Sequence, residues 1–325
     1  MRPVESRTVR SNGIDLHVVE AGEGPPVLLV HGFPGVSSVW RHQLPVLAAA
    51  GYRAVAVDTR GYGRSDRPTD GYEAENLEAD LLGLLDDLAE PAVLVGQDFG
   101  SRYAWNLARH HPDRLRGVVG TVPFADLPDG PPPTRLWQDL AVGHFLHLHY
   151  FQEVGRAEAD LGGEHAAEFL RRLLWALSAQ GEYFSVFSHP DAGTSYLDAL
   201  PEAPPLPWSW LSEADFDAHV AEFTRGGPGR EFAGGLGSYR AADADWAWEG
   251  RWRGQPITVP AMLLVGEADP VRKFTQTDPG LFTDLTEVVV PGAGHHVQQE
   301  QPDAVNTALL EFLGSLAPGV GRVRR

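Results

Sequence analysis

Apolar positions in the first third of the chain fall into short runs separated by amphipathic stretches. Residues 27–30 (VLLV), 54–58 (AVAVD), 92–95 (AVLV) and 118–122 (VVGTV) have the near-continuous apolar character of strands buried on both faces of a parallel sheet. Between them, 39–50, 74–89 and 99–110 carry apolar residues at helical spacing. Nearer the start, 7–10 and 14–20 flank Ser11-Asn12-Gly13, a turn signal of hairpin type. The last third resumes the scheme with 261–265 (AMLLV), 286–290 (TEVVV) and a closing helix over 303–316. Strands alternating with helices predict an α/β fold whose parallel sheet is covered on both faces.

Residues 125–255 break the rhythm. Pro131-Pro132-Pro133 opens the stretch, 201–207 is rich in proline and 226–237 in glycine. Its periodic pieces, 164–179 and 212–224, have helical spacing, and no buried strand run occurs. The economical reading is one sheet in two halves, 1–124 and 256–325, with a helical cap inserted as 125–255. Seven of the nine tryptophans lie in the insertion, at 137, 175, 208, 210, 246, 248 and 252. They are expected to build its small core, and together could floor an aromatic or apolar pocket. The tail 319–325 reads as disordered.

Composition removes several function classes. The 325 residues suffice for one large core plus an insertion. With no cysteine there is no disulfide scaffold, zinc–thiolate site or cysteine nucleophile. A net charge of −18 repels phosphate backbones and argues against a nucleic-acid partner. No apolar run approaches the roughly 20 residues of a membrane span, and MRPVESRTVRSNG has no signal-peptide core. A cytoplasmic enzyme is expected, with a homodimer left open. Lys273 is the only lysine, which together with abundant alanine and glycine points to a GC-rich bacterial genome.

Four motifs carry candidate chemistry, each after a predicted strand. Gly96-Gln97-Asp98-Phe99-Gly100 is a strand-to-helix corner whose small residues permit a strained turn that pushes the middle side chain outward. Serine is usual at that position; here it is Asp98. A carboxylate attacks an sp³ carbon to give an ester, but with an acyl carbon it would give an anhydride, so ordinary esterase chemistry is disfavoured. The alternative for Asp98 is a helix N-cap. His31-Gly32-Phe33-Pro34-Gly35 is a glycine turn that could aim the Phe33 N–H at developing charge, with the Phe99 N–H as second donor; it would serve equally as a plain strand-to-helix turn. Gly292-Ala293-Gly294-His295-His296 presents two histidines, either of them catalytic or structural. Gly266-Glu267-Ala268-Asp269-Pro270 offers Asp269 to orient an imidazole, or as a turn residue. The order nucleophile, acid, histidine is the order of this type of fold.

The core resembles the α/β-hydrolase fold, and specifically its epoxide hydrolases. The resemblance runs through HGFPGVSSVWRHQLPVLAAAGYRAVAVDTRGYGRSDRP (31–68), GQDFG, GEADPV and GAGHHVQQEQP (292–302), with YFQEVGRAEADL (150–161) and Ser238-Tyr239-Arg240 in the insertion. It implies a mostly parallel eight-stranded sheet, no metal and no organic cofactor. By position it makes Asp98 the nucleophile, His295 the activator of water, Asp269 its partner and Tyr239 a cap donor to the epoxide oxygen. The family usually has a second cap tyrosine three residues before Tyr150, and this chain has His147 there. His147, His149 or Tyr150 could be the second donor, or Tyr239 could act almost alone. His31, Pro34, Trp137 and Trp175 are expected around the substrate, a bulky small-molecule epoxide of apolar or aromatic character from secondary metabolism.

Two rival functions fit the same residues. A dehalogenase of the same fold also forms an alkyl-aspartyl ester. The haloalkane type usually has tryptophan directly after the nucleophile and a donor side chain after His-Gly, positions held here by Phe99 and Phe33. The fluoroacetate type resembles the chain at His149-Tyr150 and Arg102, but expects arginine at 99. The second rival is a ligand-binding protein on a hydrolase scaffold.

Overall fold

The computed structural model describes residues 4–127 and 129–316; the tail 319–325 lies outside the described residues. Strands β1 (Glu5–Ser11) and β2 (Ile14–Ala21) form the expected hairpin. Its tip, Asn12-Gly13, has φ of 45° and 79°, the conformation that two-residue hairpin loops need. Next come β3 (Pro26–Val30), β4 (Arg53–Val57), β5 (Ala92–Gly96), β6 (Leu115–Gly120), β7 (Ala261–Gly266) and β8 (Leu285–Val290). They make one eight-stranded sheet in the order β1-β2-β4-β3-β5-β6-β7-β8. β2 runs antiparallel to both neighbours, and every other pairing is parallel.

Alternate residues of the central strands feed two cores. Leu28, Val30 and Leu94 pack under the helices Ala74–Leu88 and Phe99–His110. Val27, Leu29, Val93 and Val95 pack under Gln43–Ala49 and Pro302–Ser315. Both faces are apolar, which is why these strands read as continuous runs. Two strands depart from that reading. β6 begins at Leu115 and ends at Gly120, because the Thr121 N–H turns to the Gly96 carbonyl and Ser101 Oγ. β8 is an edge strand with Glu287 and Val289 exposed, so it is not buried on both faces.

Between β6 and β7 the described residues contain helices and no strand. Phe145, Phe151, Phe169, Leu173, Tyr196, Phe223 and Phe232 form the core of this insertion, and Phe33 and Tyr62 join it from the sheet side. The tryptophans do not all belong to it. Trp208 and Trp210 do, with Trp175 packed alongside, but Trp248 packs against the sheet's own core and Trp252 lies 3.8 Å from the His110 ring. The glycine-rich 226–237 stretch is also not simply a break, because its second half is part of the helix Ala233–Arg240. A Cβ at Gly234 would fall 2.1 Å from the Tyr62 ring, and one at Gly235 2.3 Å from the Phe33 ring. These glycines let the helix lie flush on the sheet's carboxyl edge, which carries Tyr239 to that edge. No helix among the described residues is long and apolar enough to cross a membrane.

Candidate active site

Asp98 follows the end of β5 with φ 53° and ψ −120°, a conformation that costs a non-glycine residue on the order of 1–3 kcal/mol. The flanking glycines make the corner sterically feasible. A Cβ at Gly96 would lie 2.1 Å from the Gly100 carbonyl oxygen, and one at Gly100 2.2 Å from that of Val30. The Asp98 side chain makes no capping hydrogen bond to the helix it precedes, so the N-cap alternative does not hold. Instead the Phe33 N–H donates to Asp98 Oδ1 at 2.8 Å. Gly32 permits this approach, since a Cβ there would sit 2.4 Å from the same oxygen. The Phe99 N–H, first in its helix, has no acceptor among the described residues. Asp58, after β4, pins the loop carrying Phe33 by accepting the Ser37 N–H at 2.7 Å.

Asp269 and His295 close on this corner from beyond the ends of β7 and β8. His295 Nε2 stands 3.4 Å from Asp98 Oδ2, and its Nδ1 is 3.1 and 3.2 Å from the two oxygens of Asp269. Asp269 Oδ1 also accepts the Val271 N–H at 2.9 Å, so it shapes its turn as well as facing the imidazole. Burial opposes charge on His295, but Asp269 and then Asp98 outweigh it and hold the pKa well above the ordinary histidine value. The adjacent His296 is driven the other way by burial and by the charge of His295. Its ring stacks on Trp210 with centroids 5.6 Å apart, which separates the structural histidine of the pair from the one facing Asp98.

Glu300 is a participant the motifs did not reveal. Its Oε2 accepts the N–H groups of Gly294 at 3.0 Å and Ala179 at 2.8 Å, and its Oε1 accepts that of His296 at 3.1 Å. One half-buried carboxylate thus ties both sides of His295 to the insertion. A glutamate five residues beyond a glycine-rich histidine loop is the only sequence signal for it. Glu300→Ala is expected to lower stability by about 2 kcal/mol, because three backbone donors lose a charged acceptor. Urea denaturation would measure this, and an unchanged midpoint would contradict it.

On the facing side, Tyr239 meets Phe99 at 4.9 Å and Phe33 at 6.1 Å between ring centroids. Burial and the Asp98 charge push its pKa well above the usual phenol value, keeping the hydroxyl protonated. That hydroxyl has no hydrogen-bond partner among the described residues. The three candidate second donors separate. His147 stands edge-on to Tyr239 at 5.7 Å. Tyr150 is buried, and its hydroxyl donates to Asp160 Oδ2 at 2.8 Å. His149 is half-buried and makes no ring contact with Tyr239.

The expected substrate contacts fare unevenly. His31 is fully buried and both ring nitrogens are taken: Nδ1 lies 2.9 Å from the Gly32 carbonyl, and Nε2 accepts the Thr59 N–H at 3.1 Å. It is therefore a structural residue of the turn. Pro34 is buried beneath the insertion, its carbonyl turned to His219. Trp175 packs against Trp208 at 5.0 Å, in the insertion's core. Trp137 lines an apolar cavity of about 310 Å³ with Phe99, Tyr239, Leu136, Leu148 and Trp246, whose walls include neither Asp98 nor His295.

A carboxylate on a strained strand-to-helix corner, with a histidine and a second acid from later strand ends, defines an α/β-hydrolase. The family described as alpha/beta hydrolase fold matches residues 25–302. Epoxide hydrolase A of Mycobacterium tuberculosis is 42% identical over 323 residues, covering 95% of this chain and 97% of that protein. The crystal structure of epoxide hydrolase A from Mycobacterium thermoresistibile superposes with a TM-score of 0.88 at 39% identity, covering 96% and 98% of the two chains. An epoxide hydrolase from an endophytic Streptomyces gives 0.90 at 37% identity, covering 97% of each. The chain belongs to the epoxide hydrolases of the α/β-hydrolase fold, and is a hydrolase.

Proposed function

We propose that this protein opens an apolar or aromatic epoxide to a vicinal diol through an ester on Asp98, as a cytoplasmic enzyme whose cap is 125–255 and whose core is 1–124 with 256–325. The observation that carries the mechanism is the division of labour on one carboxylate. Asp98 Oδ1 is held by the Phe33 N–H at 2.8 Å, which leaves Oδ2 as the attacking oxygen, on the side of His295. Oδ2 bonds to an epoxide carbon as the C–O bond of the ring breaks, and the Tyr239 hydroxyl gives its proton to the departing oxygen. His147 supplies the second hydrogen bond there.

His295 then takes a proton from water, and the hydroxide adds to Asp98 Cγ. The N–H groups of Phe33 and Phe99 hold the resulting oxyanion. Collapse releases the diol oxygen, which recovers the proton from His295. The proton left on the regenerated Asp98 carboxyl returns to His295, and epoxide plus water has become diol. Between the two steps, esterification removes one of the two charges that stabilise imidazolium on His295, so the ring gives its proton to the Tyr239 phenolate left by ring opening and becomes the neutral base of the second step. Accordingly, Asp98→Asn is expected to lower the His295 pKa relative to wild type. An NMR titration of the ring would measure it, and an unchanged or higher value would contradict this coupling.

The cavity walled by Trp137, Leu148 and Phe99 supports an apolar substrate. A dehalogenase is not favoured. Phe33 and Phe99 place no side-chain donor where a halide would leave. Arg102, the candidate carboxylate holder for a haloacetate, is already committed to Glu249 at 2.8 Å and Asp245 at 3.3 Å. The test is direct: styrene oxide should be converted to phenylethanediol, while 1-bromohexane and fluoroacetate should release no halide. Halide release without diol formation would overturn the reading.

A further inference from the structure

His147 sits in a group of hydroxyl-bearing rings that the sequence motifs did not connect. Its ring stacks on Tyr196, with centroids 5.4 Å apart and planes 15° from parallel. Its Nδ1 lies 2.8 Å from the Tyr183 hydroxyl oxygen, which in turn lies 3.3 Å from that of Tyr196. Tyr183 and Tyr196 are buried. With Nδ1 engaged, Nε2 is the ring nitrogen left for a ligand.

Resting on the epoxide-hydrolase reading of this site, we propose that Tyr183 is a positioning residue: its O–H donates to His147 Nδ1 and so fixes the ring proton on Nε2, as the second hydrogen bond to the epoxide oxygen. Tyr196 completes the line from behind by donating to the Tyr183 oxygen.

A neutral imidazole has one donor and one acceptor nitrogen, so the partner of one decides the role of the other. Two arrangements satisfy the distances. In the first, Tyr183 donates to Nδ1 and Nε2 carries the proton. In the second, Nδ1–H donates to the Tyr183 oxygen, Tyr183 donates to Tyr196, and Nε2 presents a lone pair. Three considerations favour the first. Burial raises the Tyr183 pKa above the ordinary phenol value, but a phenol is still a stronger acid than the N–H of neutral imidazole, and the imidazole nitrogen is the better base. The Tyr183 proton also belongs on the shorter contact, 2.8 Å against 3.3 Å. Finally, an epoxide oxygen has only lone pairs to offer, so an Nε2 lone pair would repel it where Nε2–H attracts it. Burial keeps the ring neutral by lowering the His147 pKa to about 4, with the Asp98 charge opposing. His147 therefore acts as a hydrogen-bond donor and retains its proton, while the proton transferred in ring opening comes from Tyr239.

Long-range ¹H–¹⁵N correlation on histidine-labelled enzyme, with His147 assigned by its loss in His147→Gln, reads the tautomer without substrate. Nε2–H is expected in the wild type and a shift toward Nδ1–H in Tyr183→Phe. In single turnovers of styrene oxide, Tyr183→Phe should slow ester formation about tenfold, the order of one hydrogen bond, and leave ester hydrolysis unchanged. An Nδ1–H tautomer in the wild type would overturn the proposal whether or not the variant folds. So would a Tyr183→Phe enzyme with unchanged tautomer and unchanged ester formation. Failure of the epoxide reading is distinguishable: the Nε2–H signal would be present in an enzyme that opens no epoxide, which would remove the role assigned to it.

Discussion

Asp98→Asn is expected to fold normally and to lose turnover on the order of 10⁴-fold or more. The amide keeps an oxygen for the Phe33 N–H, so the corner and its neighbours stay in place. What disappears is the anionic oxygen 3.4 Å from His295 Nε2, and an amide nitrogen there is no nucleophile toward an epoxide carbon. Steady-state diol formation measures the loss, and a melting curve that matches the wild type shows that it is chemical. Activity within tenfold of wild type would require a mechanism in which water attacks the epoxide directly.

His295→Gln is expected to separate the two half-reactions. Ring opening needs Asp98 Oδ2 and the donors on the insertion, none of which the substitution removes. Ester hydrolysis needs a base for water, and glutamine is not one. One equivalent of epoxide should be consumed in a burst and turnover should then stall. Intact-protein mass spectrometry should find the chain heavier by the mass of one substrate, with the added mass on the peptide containing Asp98. A variant that still releases diol at the wild-type rate, or one that consumes no epoxide at all, would contradict the assignment of His295 to the second step.

Legibility in the sequence followed the reach of the interactions. Strands packed on both faces announce themselves as apolar runs, which is why β3, β4, β5 and β7 were readable to within a residue or two. β8 is exposed at the sheet edge, and its burial could not be inferred from TEVVV alone. The corner at Asp98 was legible because glycines at 96 and 100 are demanded by contacts under 2.5 Å that no side chain could survive. The same logic applies at Gly234 and Gly235, where glycine marks the close approach of an insertion helix to Tyr62 and Phe33 of the core. His31 and Trp175 were read as substrate contacts from their chemistry, but the Thr59 N–H and the Trp208 ring occupy them. Tyr183 acts through His147, 36 residues away, which no local pattern shows, and Glu300 acts partly through Ala179 at a separation of 121, so only its place after the histidine loop was visible.

The ester on Asp98 is the central claim, and a single turnover with enzyme in excess over styrene oxide in ¹⁸O-water tests it most directly. Because water attacks Asp98 Cγ and the diol departs with an oxygen from the enzyme, one ¹⁸O should appear in the peptide containing Asp98 and none in the diol. Label in the diol with an unlabelled Asp98 would mean that water attacked the epoxide itself, and the covalent mechanism would be wrong.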